Sequence, residues 1–142
     1  MIKIIIIIIF LILNGCSTFK KEIVECPKLI APKEAAEIVV NSENNLPVYL
    51  GFRGVKAVCV RDGNNIKMEI LVNIRAIRKD TTKDDYVPVN IAIVSVDSNY
   101  KEFDRDEFNY SQFLLKNSKI IDRSTTFDLI VPSGGEVLLG VK

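Results

Sequence analysis

From Ile66 to Ala76 the chain alternates without a break. Ile66, Met68, Ile70, Val72, Ile74 and Ala76 fall on one face. Lys67, Glu69, Leu71, Asn73 and Arg75 fall on the other, followed by Ile77. A period of two is the signature of a strand with one buried face. Leu71 and Ile77 predict that the second face is partly covered as well. Asp62-Gly63-Asn64-Asn65 just upstream is a hairpin turn signal, so Val55–Arg61 is the expected partner strand. Its alternation groups Val55, Ala57, Cys59 and Arg61 against Lys56, Val58 and Val60.

Other stretches extend the pattern. Leu46–Phe52 reads as a strand with Pro47 near its start, which suits an edge. Val87–Val96 is almost continuously apolar and reads as a central strand. Glu102–Tyr110 alternates aromatic and charged residues. Ser124–Val131 places Phe127, Leu129 and Val131 on one face. Pro132-Ser133-Gly134-Gly135 is a turn before a closing strand, Val137–Val141. Lys33–Glu37 favours helix but is too short to be stable alone, and reads as one turn or a loop. About seven short strands without a sustained helical period predict an all-β fold, an antiparallel β-sandwich of immunoglobulin or fibronectin type. The immunoglobulin Cys…Trp…Cys signature is absent, because the chain has no tryptophan.

The first residues follow a different rule. Lys3 precedes an apolar block, Ile4–Leu13, that ends at Asn14-Gly15-Cys16. The block has the length of a signal-peptide core, about 7–15 residues. A spanning helix needs about 20. Leu13-Asn14-Gly15-Cys16 resembles the bacterial lipobox. The resemblance implies that Cys16 receives a diacylglycerol, that residues 1–15 are removed, and that the new amine is acylated with a fatty acid such as palmitate. Multiple acyl chains give stable anchoring without a span. Ser17 stands where Asp would mark inner-membrane retention, so the resemblance favours the outer membrane, facing the periplasm. Residues 16–25 then form a lipidated tether, and residues 26–142 the sandwich domain, opened by Cys26-Pro27.

Composition narrows the chemistry. The 142 residues carry a formal net charge of +1, so no nucleic-acid partner is implied. With Cys16 on lipid, Cys26 and Cys59 remain. In an oxidising compartment a Cys26–Cys59 disulfide is the expected pairing, with two buried thiols as the alternative. The chain contains no histidine, which removes Ser-His-Asp, Cys-His and His-metal mechanisms. No zinc spacing is present, and neither a metal nor another cofactor is expected.

Asp104-Arg105-Asp106-Glu107 is the densest charge cluster. It could hold Ca²⁺ or act as a carboxylate pair. The plainer reading is a solvated strand edge, with Asp104 and Asp106 on one side and Glu107 on the other. The charge run Arg78–Asp85 reads as a solvated loop. Tyr86, Tyr100, Phe103, Phe108, Tyr110 and Phe113 are expected mainly to pack on the sheets, with a partner-binding face as the alternative.

Cys16, Cys26-Pro27, Gly54-Val55…Cys59, Val72–Arg78 and the Val87–Val96 strand together make the chain similar to a group of small alphaproteobacterial lipoproteins. The resemblance covers most of the mature chain. It implies a periplasm-facing β-sandwich on a lipid anchor and implies no activity. The reading is therefore a non-enzymatic, membrane-anchored module that binds or supports another cell-envelope component, with an envelope protein as a possible partner. A carboxylate hydrolase using Asp104, Asp106 or Glu107, and a binder of small apolar ligands between the sheets, are the alternatives.

Overall fold

The computed structural model describes residues 21–142. The signal segment, Cys16 and the first part of the tether lie outside the described residues. Among the described residues are nine strands and one helical turn: β1 (Ile23–Val24), β2 (Leu29–Ile30), α1 (Lys33–Ala36), β3 (Glu37–Asn41), β4 (Pro47–Asp62), β5 (Asn65–Arg78), β6 (Asp85–Val96), β7 (Glu102–Leu114), β8 (Ile120–Pro132) and β9 (Glu136–Val141). They form two facing sheets. One has the order β1-β4-β5-β8, with β3 also on β4, and the other the order β2-β9-β6-β7. The fold is the expected all-β sandwich.

The alternation of β5 holds along its length. Met68, Ile70, Val72, Ile74 and Ala76 are all buried. They meet Phe127, Leu129 and Val131 of β8 and Val48, Leu50 and Cys59 of β4 on the inner face of the same sheet. The opposite sheet contributes Val87, Val89, Ile91 and Ile93 of β6 and Val137, Leu139 and Val141 of β9. β6 is central, between β9 and β7, as its apolar run predicts. The expected partial cover of the second β5 face holds at Ile77, which is half-buried, but not at Leu71. Leu71 remains 40% exposed.

Three features differ from the sequence reading. Leu46–Phe52 and Val55–Arg61 are one strand, β4, carried through a bulge between Phe52 and Gly54. A bulge inserts one residue without ending the strand. Pairing also begins before Cys26, because Ile23 and Val24 add to β4 opposite Val60 and Cys59. Finally, β2 joins β9 in parallel.

The chain's detour between β1 and β3 explains one glycine. α1 lies over the outer face of the second sheet at Gly140, where an added Cβ would stand 3.1 Å from Ala35 Cβ. The Pro132–Gly135 turn closes a crossing from β8 to β9. Gly134 has φ +75°, and a Cβ on Gly135 would collide with the Val96 carbonyl oxygen. Both positions favour glycine for backbone reasons.

Candidate functional site

Cys26 and Cys59, the two cysteines among the described residues, are bonded to each other. The Cα atoms of Cys26 and Cys59 are 5.3 Å apart, within the range a disulfide requires. Pro27 keeps the entry segment extended, and β1 holds it along β4. The bond therefore fixes the segment arriving from residue 16 to the strand that runs the length of the first sheet. Cys59 is buried, which fits a structural bridge.

The Asp104–Glu107 cluster is an ion network on the edge strand β7. Arg105 donates to both carboxylate oxygens of Glu102 at 3.0 and 2.8 Å and to Glu107 at 2.8 Å. Lys142 adds a contact to Glu107 at 3.0 Å. These cations hold Glu107, through Lys142 first and then Arg105, and Glu102, through Arg105, below the usual carboxylate range. Alternation turns Asp104 and Asp106 to the other side of the strand. Asp104 accepts the Ile130 N–H of β8 at 2.8 Å. The carboxylates thus divide between two faces and do not converge as an acid–base pair. No group of three or more Cys, Asp or Glu side chains among the described residues is placed to hold a metal. Ser133-Gly134-Gly135 forms a turn, as its composition predicts, but it links strands of different sheets and closes no hairpin.

The aromatic residues split. Tyr86, Tyr100, Phe103 and Phe113 are exposed, which overturns core packing for them. Tyr86 and Phe113 pair across β6 and β7 at 5.1 Å. Phe108 and Tyr110 are partly buried against the core, 5.3 Å apart. Arg123 of β8 lies over both rings, 4.0 Å from the Tyr110 centroid and 5.6 Å from that of Phe108. This is cation–π geometry. Burial pushes the Tyr110 hydroxyl up, and the Arg123 charge opposes it.

The charge run 78–85 is not simply a solvated loop. Arg78 and Asp85, at its two ends, are each 4% exposed. Arg78 follows the even positions of β5 inward, and its fork donates to Ser118 O at 3.1 Å, Lys83 O at 2.9 Å and Leu115 O at 2.6 Å. It thereby ties the β5–β6 loop to the β7–β8 loop. Asp85 accepts the N–H groups of Tyr86 at 2.8 Å and Asn44 at 3.3 Å. Both residues line a polar depression of about 260 Å³ at this end of the sandwich, with Asn44, Asp80 and Lys83.

Burial pushes the Asp85 carboxyl up, but hydrogen bonds from Ser42, Tyr86 and Asn44 outweigh it and hold it below the ordinary range. A depressed folded-state pKa adds stability above the unfolded value, which is lost as pH falls through the folded one. Asp85→Asn is therefore expected to flatten the acid limb of the stability–pH curve. Urea midpoints measured between neutral pH and the acid transition check this, and an unchanged limb overturns it.

Comparison with known proteins returned no matching family model, no matching curated protein and no matching solved structure.

Proposed function

We propose that this chain is a lipid-anchored β-sandwich lipoprotein, facing the periplasm from the outer membrane, that binds or supports another component of the cell envelope. The observation that carries the reading is the Cys26–Cys59 bond. Disulfides persist in oxidising compartments and are rare in the cytosol. The bond closes where the segment following Cys16 reaches the sandwich, which suits a domain held from that end. From Val60 back to Pro47, β4 extends about 43 Å at about 3.3 Å per residue. The sandwich would thus present its far end and its outer faces away from the anchor. Those faces carry exposed apolar side chains, including Val39, Val58, Tyr86 and Phe113. The space between the sheets is filled by Phe127, Leu50, Met68, Ile70 and their neighbours, so binding falls to the outside of the sandwich.

The test has two arms. Intact mass of protein extracted from membranes should correspond to a chain beginning at Cys16 with attached lipid, and Cys16→Ala should leave an unprocessed precursor. A mass equal to the unmodified full chain overturns the anchor. Photo-crosslinkers at Val39, Tyr86 and Thr126 in intact cells should trap a discrete envelope protein from at least one position. Failure at all three overturns the binding role.

A further inference from the structure

We infer that the free edge of β8, from Asp122 to Asp128, is a strand-addition site for an extended peptide segment bearing an acidic side chain. The inference rests on the proposed envelope-binding role and names the surface and the partner's chemistry.

The ladder register identifies the open groups. Arg78 N–H bonds to Lys119 O at 3.0 Å, and the β5–β8 pairing continues from Ile77 opposite Ile120. In an antiparallel pair, alternate residues exchange both hydrogen bonds. Ile121, Arg123, Thr125, Phe127 and Leu129 therefore bond to β5, while Asp122, Ser124, Thr126, Asp128 and Ile130 turn their backbone groups outward. Ile130 confirms this parity. Its N–H goes to Asp104, and its carbonyl accepts the Ser95 hydroxyl at 2.6 Å. Among the described residues, no hydrogen bond satisfies the outward backbone groups of Asp122, Ser124, Thr126 or Asp128, and all four side chains are exposed.

The other edges are guarded in the usual ways. β3 is short. The part of β4 between β3 and β1 carries the bulge and the exposed cations Arg53 and Lys56. β7 is lined by the Glu102–Arg105–Glu107 network. By contrast, β8 pairs with β5 without a bulge from Ile120 to Pro132 and has no lysine in that span. Among the described residues, its hydrogen bonds to the opposite sheet are confined to Ile130, and along the rest of the edge only the Arg123 side chain reaches across, onto the rings of Tyr110 and Phe108.

Charge decides what the edge would take. Asp122 is already paired with Arg75 at 2.8 Å. Arg123, in contrast, makes no ion pair or hydrogen bond among the described residues, and its guanidinium is held by the rings of Tyr110 and Phe108. An arginine fixed on aromatic faces keeps its fork of donors available for a carboxylate. Beside it, the hydroxyls of Tyr110 and Thr125 are buried without a partner, so the hydrogen bonding of this seam is unfinished. Strand addition supplies main-chain bonds for affinity and side-chain contacts for specificity. The plainer alternative is that Arg123 is an edge guard that repels strands, and the two ideas predict opposite signs.

The experiment uses the full mature chain in detergent and a fluorescent peptide of alternating Thr and Val with one central Glu, beside its Gln analogue. Anisotropy should show saturable binding of the Glu peptide, and about tenfold weaker binding of the Gln analogue, or about 1.4 kcal/mol. Ser124→Pro and Thr126→Pro each remove an outward N–H that the β5 ladder does not use. Each should weaken the Glu peptide about tenfold or more, with the melting temperature recorded as a folding control. Arg123→Gln should erase the preference for Glu over Gln while leaving Gln-peptide binding intact. No binding by the wild type, equal binding of the two peptides, or tighter binding by Arg123→Gln overturns the inference. Concentration-dependent self-association that Ser124→Pro abolishes also overturns it, by making a second copy the occupant. In cells, trapping from Val39 or Tyr86 but not from Thr126 sinks this edge while leaving the envelope-binding role standing.

Discussion

Replacing Cys26 and Cys59 together, by Ser and Ala respectively, is expected to lower the unfolding free energy by about 3–4 kcal/mol in the chain-entropy view of disulfides. The bond spans a sequence separation of 33, so opening it returns substantial freedom to the unfolded chain. Cys59 is buried and packed in the core, so Ala at that position adds a small cavity cost. Against a typical total of about 5–15 kcal/mol the loss is large. Urea denaturation of the oxidised protein, the reduced protein and the double variant measures it. Reduced wild type and the double variant should fall together, well below the oxidised form. Coincident curves for the oxidised and reduced forms would show that the bond carries no stability.

Arg78→Ala is the second large effect, expected at about 2–4 kcal/mol. The side chain is buried and serves three carbonyls from two loops. Removing it leaves acceptors unsatisfied, at about 1–3 kcal/mol for a fully buried group, and opens a void. Arg78→Lys is the informative companion. It keeps the charge but offers a single ammonium in place of a planar fork, so it should recover less than half of the loss. If Lys restores full stability, charge and not the fork geometry holds the loops. Amide exchange at residues 81–84 and 115–118 should quicken in both variants.

Much of the sandwich was legible because the inner faces obey strict alternation. Met68 to Ala76, Phe127 to Val131 and Val137 to Val141 each name their buried residues by parity. The same parity runs on to Arg78, so the signal for its burial was present. The charge of Arg78, and the polar run after it, argued for solvent, and only the carbonyls of distant Leu115 and Ser118 reveal the compensation. Asp85 was hidden for the same reason, because its partners Asn44 and Tyr86 come together only in the fold. β1 and β2 are two residues each, too short for any period to show. The Phe52-Arg53-Gly54 step read as a break between strands because a bulge and a loop share glycine. The Cys26–Cys59 pairing was legible by elimination, since only these two cysteines remained once Cys16 was assigned to lipid. The open edge of β8 was not, because which backbone groups face outward depends on register, and register is fixed by the partner strand.

The position of the disulfide also sets how the domain would answer a pull. Tension applied through the residues before β1 would first meet β1, which pairs with β4 at Ile23 and Val24. On their own, two residues of ladder would peel open one bond at a time. Two residues beyond β1, the covalent link passes the load to Cys59, deep in a strand bonded along its whole length to β5. Slack can therefore be drawn only from the few residues before Cys26, and the rest of the sandwich is loaded as one body. Mechanically, the bond is a stop that keeps fraying of the segment before Cys26 from travelling into the core.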